Sequence, residues 1–147
     1  DAEYMPAPIK FEAGTQRVSQ AVAFAAAVRY LQHLGMENVE AWEHELGTRL
    51  VEGVQMIDGV RLLGPTDPTK RTGLVALAIE GVHPHDVGQL LDTQGIAVRV
   101  GHHCAQPLHR CAGVTASTRA STYIYNTTED VDAFLKALAE VRPYFGF

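Results

Sequence analysis

The feature that most constrains the fold is the stretch from Leu74 to Val100, in which one helix is framed by two strand-like runs. Leu74-Val75-Ala76-Leu77-Ala78-Ile79 is an apolar run of strand length, and Ile96, Val98 and Val100 alternate with Ala97 and Arg99, the period of a half-buried strand. Between them Pro84 suits a first helical position, Val87, Leu90 and Leu91 supply an apolar face, and Gly95 supplies a stop. Strand and helix alternating over so short a distance predict helices laid on a sheet, an α/β or α+β sandwich.

The flanking segments fit this plan. Val18–Leu34 predicts an Ala-rich helix stopped by Gly35, apolar nearly all round and therefore buried on several sides, against something outside this chain. Val39, Trp42, Leu46, Leu50 and Val54 recur at helical steps while Glu43, Arg49 and Glu52 face away, and Val60–Leu63 reads as a strand closed by Gly64-Pro65. Pro107–Ala112 predicts a short helix ended by Gly113, and Thr118–Tyr125 predicts a strand with Arg119 near its start. Asn126 and Glu129 resemble a capping pair for a last helix with Val131, Phe134, Leu135, Leu138 and Val141 as its stripe and Pro143 as its end.

A chain of 147 residues with 46% hydrophobic content suffices for one compact core. A net charge of −5 without a basic run argues against nucleic acid or an anionic membrane surface as partners. No apolar stretch approaches a membrane span and no basic-then-apolar leader opens the sequence, so a soluble, cytoplasmic protein is expected. Cys104 and Cys111, seven positions apart, make a weak disulfide pair and fit a reducing compartment. The extended opening, Tyr4 to Phe11, lacks an initiator methionine and reads as part of a longer protein.

Chemistry concentrates in Arg99-Val100-Gly101-His102-His103-Cys104-Ala105-Gln106-Pro107, which places a thiol in a loop just past a strand. Two imidazoles and an arginine within five positions favour the thiolate, the nucleophilic form. Metal binding is a competing reading, since His102, His103, Cys104, His109 and Cys111 fall within ten residues and suit zinc by type, although no C-x-x-C pair is present. Cys111, at helical spacing from Leu108, is expected to be a small buried hydrophobe. A chemical role is the stronger reading for Cys104, because glycine, histidine and proline are poor core material.

Gly101-His102-His103-Cys104-Ala105-Gln106-Pro107, followed by Thr118-Arg119-Ala120-Ser121 and Tyr125-Asn126-Thr127, resembles the C-terminal part of the Suf-type (class II) cysteine desulfurases and selenocysteine lyases, within the aminotransferase class V superfamily. Phe11-Glu12-Ala13-Gly14-Thr15, His85-Asp86-Val87-Gly88 and Gly95-Ile96-Ala97-Val98-Arg99 match the same pattern in the same order. The resemblance implies the C-terminal small domain of a fold-type I pyridoxal phosphate transferase, a short, mostly antiparallel sheet covered by helices. In that frame residues 1–17 continue from a missing large domain and residues 18–147 form the small domain with its connecting helix.

It further implies a homodimeric enzyme that converts L-cysteine, or L-selenocysteine, to L-alanine and feeds sulfur to an acceptor or scaffold protein of iron–sulfur cluster assembly. Cys104 matches the catalytic cysteine that leaves as a persulfide, with the cofactor as electron sink. Arg119 matches the arginine that holds the substrate carboxylate, a task suited to a planar fork; without the resemblance it would read as a surface ion pair. Gly14 and Thr15, otherwise a turn, match residues approaching the cofactor phosphate from a neighbouring subunit, although Gln16-Arg17 stand where the family often has Pro-Asn. His102, His103 and Arg99 are candidates for support of the site. Lys10, Lys70 and Lys136 are the only lysines and none matches the lysine that binds the cofactor, so this chain alone is expected not to catalyse desulfuration. A zinc module and a non-catalytic sulfur-acceptor domain are the alternatives.

Overall fold

The computed structural model describes residues 3–147. The chain divides into two compact units, Asp1–Asn38 and Val39–Phe147. The first holds a single 3-10 turn, Ile9–Phe11, and helix α1, Val18–Leu34. Gly35, at φ 87°, ends α1 by turning its own N–H back onto the Gln32 and Leu31 carbonyls, a reversal that a side chain at that φ would strain. No α1 residue is buried: Val22, Phe24 and Tyr30 are 63%, 73% and 60% exposed. The apolar surface of α1 therefore finds no cover among the described residues.

Helix α2, Met36–Gln55, starts in the first unit and runs into the second. The second unit is built on strands β1 (Val60–Leu63), β2 (Leu74–Ile79), β3 (Arg99–Gly101) and β4 (Ser117–Ser121), with α3 (Pro84–Asp92), α4 (Gln106–Cys111), α5 (Thr128–Ala139) and α6 (Val141–Tyr144). The sheet order is β1-β2-β4-β3 and every pairing is antiparallel, as the resemblance implies. Alternate residues of a strand face opposite sides, and Val75, Leu77 and Ile79 of β2 are buried in one core with Leu46, Leu50 and Val54 of α2, Leu91 of α3 and Phe134 and Leu138 of α5. Gly47 lets α2 approach closely, since a Cβ there would lie 2.9 Å from the Thr72 carbonyl oxygen.

Four local expectations change. Pairing restricts β3 to Arg99–Gly101, although the burial alternation of Ile96 and Val98 continues before it. β4 stops at Ser121, because the Tyr123 N–H donates to the Asn126 side-chain oxygen and the chain turns there. That use of Asn126 moves the helix cap one residue on: Thr127 accepts from the Asp130 N–H while Asp130 accepts from the Thr127 N–H, a capping box. Pro143 does not end the last long helix; α5 closes at Ala139 and Pro143 lies inside α6.

Candidate functional site

The second face of the sheet carries the polar residues. Register aligns Leu63, Ala76, Arg119 and Arg99 across β1, β2, β4 and β3, so these side chains share that face. Ser117, two residues before Arg119, lies on it too and is fully buried beneath α4. A cavity of about 320 Å³ opens there, walled by Leu63, Leu74, Ala76, Leu108 and Ala112 and by the polar His103, Ser117 and Arg119.

Arginines at this face divide by commitment. Arg71 is spent on the backbone, donating to the carbonyls of Pro65, Leu63 and Leu74, and burial lowers its pKa from the usual guanidinium value. Arg61 donates to the Ala112 carbonyl. Arg99 instead places an N–H 3.7 Å from Cys104 Sγ. The Arg119 Nε is buried and has no partner among the described residues. A buried donor left open is costly unless a ligand or water completes it, so Arg119 is poised for an acceptor such as a carboxylate.

The thiol loop follows Gly101, at φ 113°. His103 and Cys104 then take φ 53° and 60°, two successive left-handed residues that are not glycine. Such backbone costs about 1–2 kcal/mol per residue and persists only where neighbours hold it. The holding bonds are present. The Ala105 N–H donates to the His102 carbonyl at 2.8 Å, His103 Nε2 lies 2.9 Å from Ser117 Oγ, and His109 sits 2.9 Å from the same hydroxyl and 3.0 Å from the Ala105 carbonyl oxygen. Burial pulls the His103 imidazole below the ordinary histidine pKa, and the Arg119, His109 and Arg99 charges act in the same direction.

Cys104, Arg99, His103 and Arg119 are therefore brought to one face, with Cys104 exposed between two residues, His103 and Ala105, that line the cavity. His102 is exposed and meets His109 edge-on, ring centroids 5.9 Å apart. Gly14 and Thr15 belong to the first unit and are exposed. The buried residue of α4 is His109, whereas Cys111 and Leu108 are exposed, which reverses the expectation for Cys111. A helix of six residues offers too few turns for spacing to fix its inner face. Among the described residues no three His, Cys, Asp or Glu side chains converge as a metal site. Ser117 was not singled out by the sequence, although period-two alternation from Arg119 puts it on the same face.

The model of the family described as aminotransferase class-V matches residues 1–134. The chain belongs to that family. It is 50% identical over 143 residues to a probable cysteine desulfurase 2 of Mycobacterium leprae, covering 97% of this class V chain and 34% of that protein. It superposes on the apo cysteine desulfurase of Thermococcus onnurineus with a TM-score of 0.84 and 40% identity, covering 91% of this chain and 33% of the other. The cysteine desulfurase CsdA of Escherichia coli, in an S-sulfonic acid form, gives a TM-score of 0.84 at 35% identity over 95% of this chain and 34% of its own. The chain thus spans about a third of the length of the relatives it matches.

The first unit offers group types suited to the phosphate of the pyridoxal phosphate that the resemblance implies. Gly14, at φ 78°, leaves open space where a Cβ would stand, so its backbone can approach a phosphate, and Thr15 adds an exposed hydroxyl. The cavity beside Cys104 is lined by no lysine.

Proposed function

We propose that this chain is the sulfur-accepting portion of a Suf-type, pyridoxal phosphate-dependent cysteine desulfurase. The observation that carries the reading is the exposed, left-handed Cys104, flanked by two residues lining the cavity in which the Arg119 Nε–H is unpartnered. Arg119 binds the carboxylate of L-cysteine, or of L-selenocysteine, through its planar fork. Arg99 donates to the Cys104 sulfur, 3.7 Å away, and holds it in place. Cys104 attacks the substrate sulfur, an S–S bond forms as the carbon–sulfur bond breaks, and that bond's electron pair leaves with carbon, which gains a proton as L-alanine. The sulfur remains on Cys104 as a persulfide for a thiol of an acceptor or scaffold protein of iron–sulfur assembly.

Pyridoxal phosphate, when bound, supplies the electron sink for this cleavage. A lysine outside this chain holds it, and Gly14 and Thr15 offer donors to its phosphate across a homodimer. Residues 1–17 continue from the domain carrying that lysine, residues 18–147 form the small domain, and the protein works in the cytoplasm, where free thiols persist.

Intact mass spectrometry after L-cysteine and pyridoxal phosphate tests the reading. One sulfur atom is expected on Cys104 in the protein that includes the lysine-bearing domain, none after Cys104→Ala, and none on residues 1–147 alone. Zinc at one equivalent with no added sulfur in any sample would overturn it.

A further inference from the structure

The bonds around Cys104 have a direction that reveals what they do. The Ala105 carbonyl can only accept, so the His109 Nδ1 at 3.0 Å must carry a proton and donate. With both imidazoles neutral, His109 Nε2 is then an acceptor, and the Ser117 hydroxyl, 2.9 Å away, donates to it. The Ser117 oxygen in turn accepts from His103 Nε2–H at 2.9 Å. With one proton on each ring, every bond in the chain has one sense. The last atom, His103 Nδ1, is left as a bare lone pair, and it is buried without a partner among the described residues.

The same two residues also bracket the cysteine. Ser117 holds the residue before Cys104 through the His103 ring, and His109 holds the residue after it through the Ala105 carbonyl. Ser117 is fully buried and His109 is 6% exposed, so both anchors stand in the rigid part of the fold, on β4 and α4. We infer that Ser117 and His109 are positioning residues for Cys104: they clamp its two neighbours, His103 and Ala105, around the left-handed turn and hold the His103 ring in its Nε2–H tautomer. The inference rests on the reading of Cys104 as the reacting thiol.

Two measurements on the protein, neither needing cofactor or L-cysteine, test the clamp. Histidine side-chain 15N spectra should show His103 as the Nε2–H tautomer alone; Ser117→Ala should give mixed tautomers, and Ser117→Thr, which keeps the hydroxyl, should restore one. Peptide-resolved iodoacetamide labelling should find Cys104 slowed by about threefold to tenfold in Ser117→Ala, the worth of one net hydrogen bond, with Cys111 unchanged and Ser117→Thr recovering the rate. His109→Phe, which keeps a ring and removes both nitrogens, should repeat the Ser117→Ala result and decides the matter if Ser117→Ala does not fold. A tautomer and a Cys104 rate indifferent to all three changes would overturn the clamp, as would equal slowing of both thiols. Because persulfide formation is not the readout, a protein that fails as a desulfurase can still pass or fail this test.

Discussion

The two faces of the four-stranded sheet are held by opposite means. On one, Val75, Leu77 and Ile79 enter a continuous apolar core with α2, α3 and α5. On the other, one short helix covers a polar chain, two of the three buried side-chain atoms without a partner among the described residues are found, and backbone strain is held by hydrogen bonds. One face has the complementarity that makes a fold stable, and the other has the open valences that make a site receptive. Two faces of one sheet can differ this way because strand side chains alternate, so stability on one side leaves the other free.

The largest effect expected from disturbing that division is on the packed face. Phe134, 4% exposed, is central to the core, and Phe134→Ala is expected to cost about 3–5 kcal/mol. Chemical denaturation reads the loss, while Cys104 labelling in the folded protein keeps its rate; a large change in that rate would mean the faces are coupled. Gly47→Ala is smaller and tests the sign of two competing terms. Replacing a helical glycine gains about 1 kcal/mol, but the new Cβ meets the Thr72 carbonyl at 2.9 Å, and overpacking against backbone costs about 1–3 kcal/mol. Net destabilisation is expected, and a raised denaturation midpoint would show that the segment leading into β2 yields.

The smallest effect belongs to the open face. The His103 pKa is lowered in the fold, so the unfolded chain binds the proton more readily. Stability from this group is therefore present above the ordinary histidine value near about 6.5 and is lost as pH falls through the lowered one. The groups that set it are Arg119 on β4, His109 on α4 and Arg99 on β3, with burial foremost. Denaturation at neutral and mildly acid pH should show a shallower acid loss in His103→Gln than in the parent; an equal loss in both would assign the effect elsewhere.

Much of the packed face was legible in the sequence, because its elements are long enough for a period to show. β2 and α3 announce themselves through apolar runs bounded by Pro84 and Gly95, and α2 through a repeated stripe. Cys104, Arg99 and His103 stood out by residue type and Arg119 only through the family resemblance, and the structure sets them on one face. The rest depended on contacts that spacing does not encode. His109 rather than Cys111 turns inward because Ser117, from a distant strand, bonds it. Asn126 had the chemistry of a cap, but its side chain is taken by the Tyr123 N–H, and Thr127 inherits the role. Ser117 itself is an ordinary strand serine until register places it under α4.

Strand β2 carries one last lesson in its volumes. Leu74-Val75-Ala76-Leu77-Ala78-Ile79 is apolar throughout, so hydropathy sees no difference between its sides. Size does beyond the first residue: Val75, Leu77 and Ile79 point one way, and past Leu74 the other side carries only the methyls of Ala76 and Ala78, where Ala76 faces Arg119 across the ladder. Every atom added at Ala76 would be subtracted from the room a guest can occupy. In a strand with no polar alternation to read, the tight side holds the molecule together and the roomy side marks where something else is meant to lie.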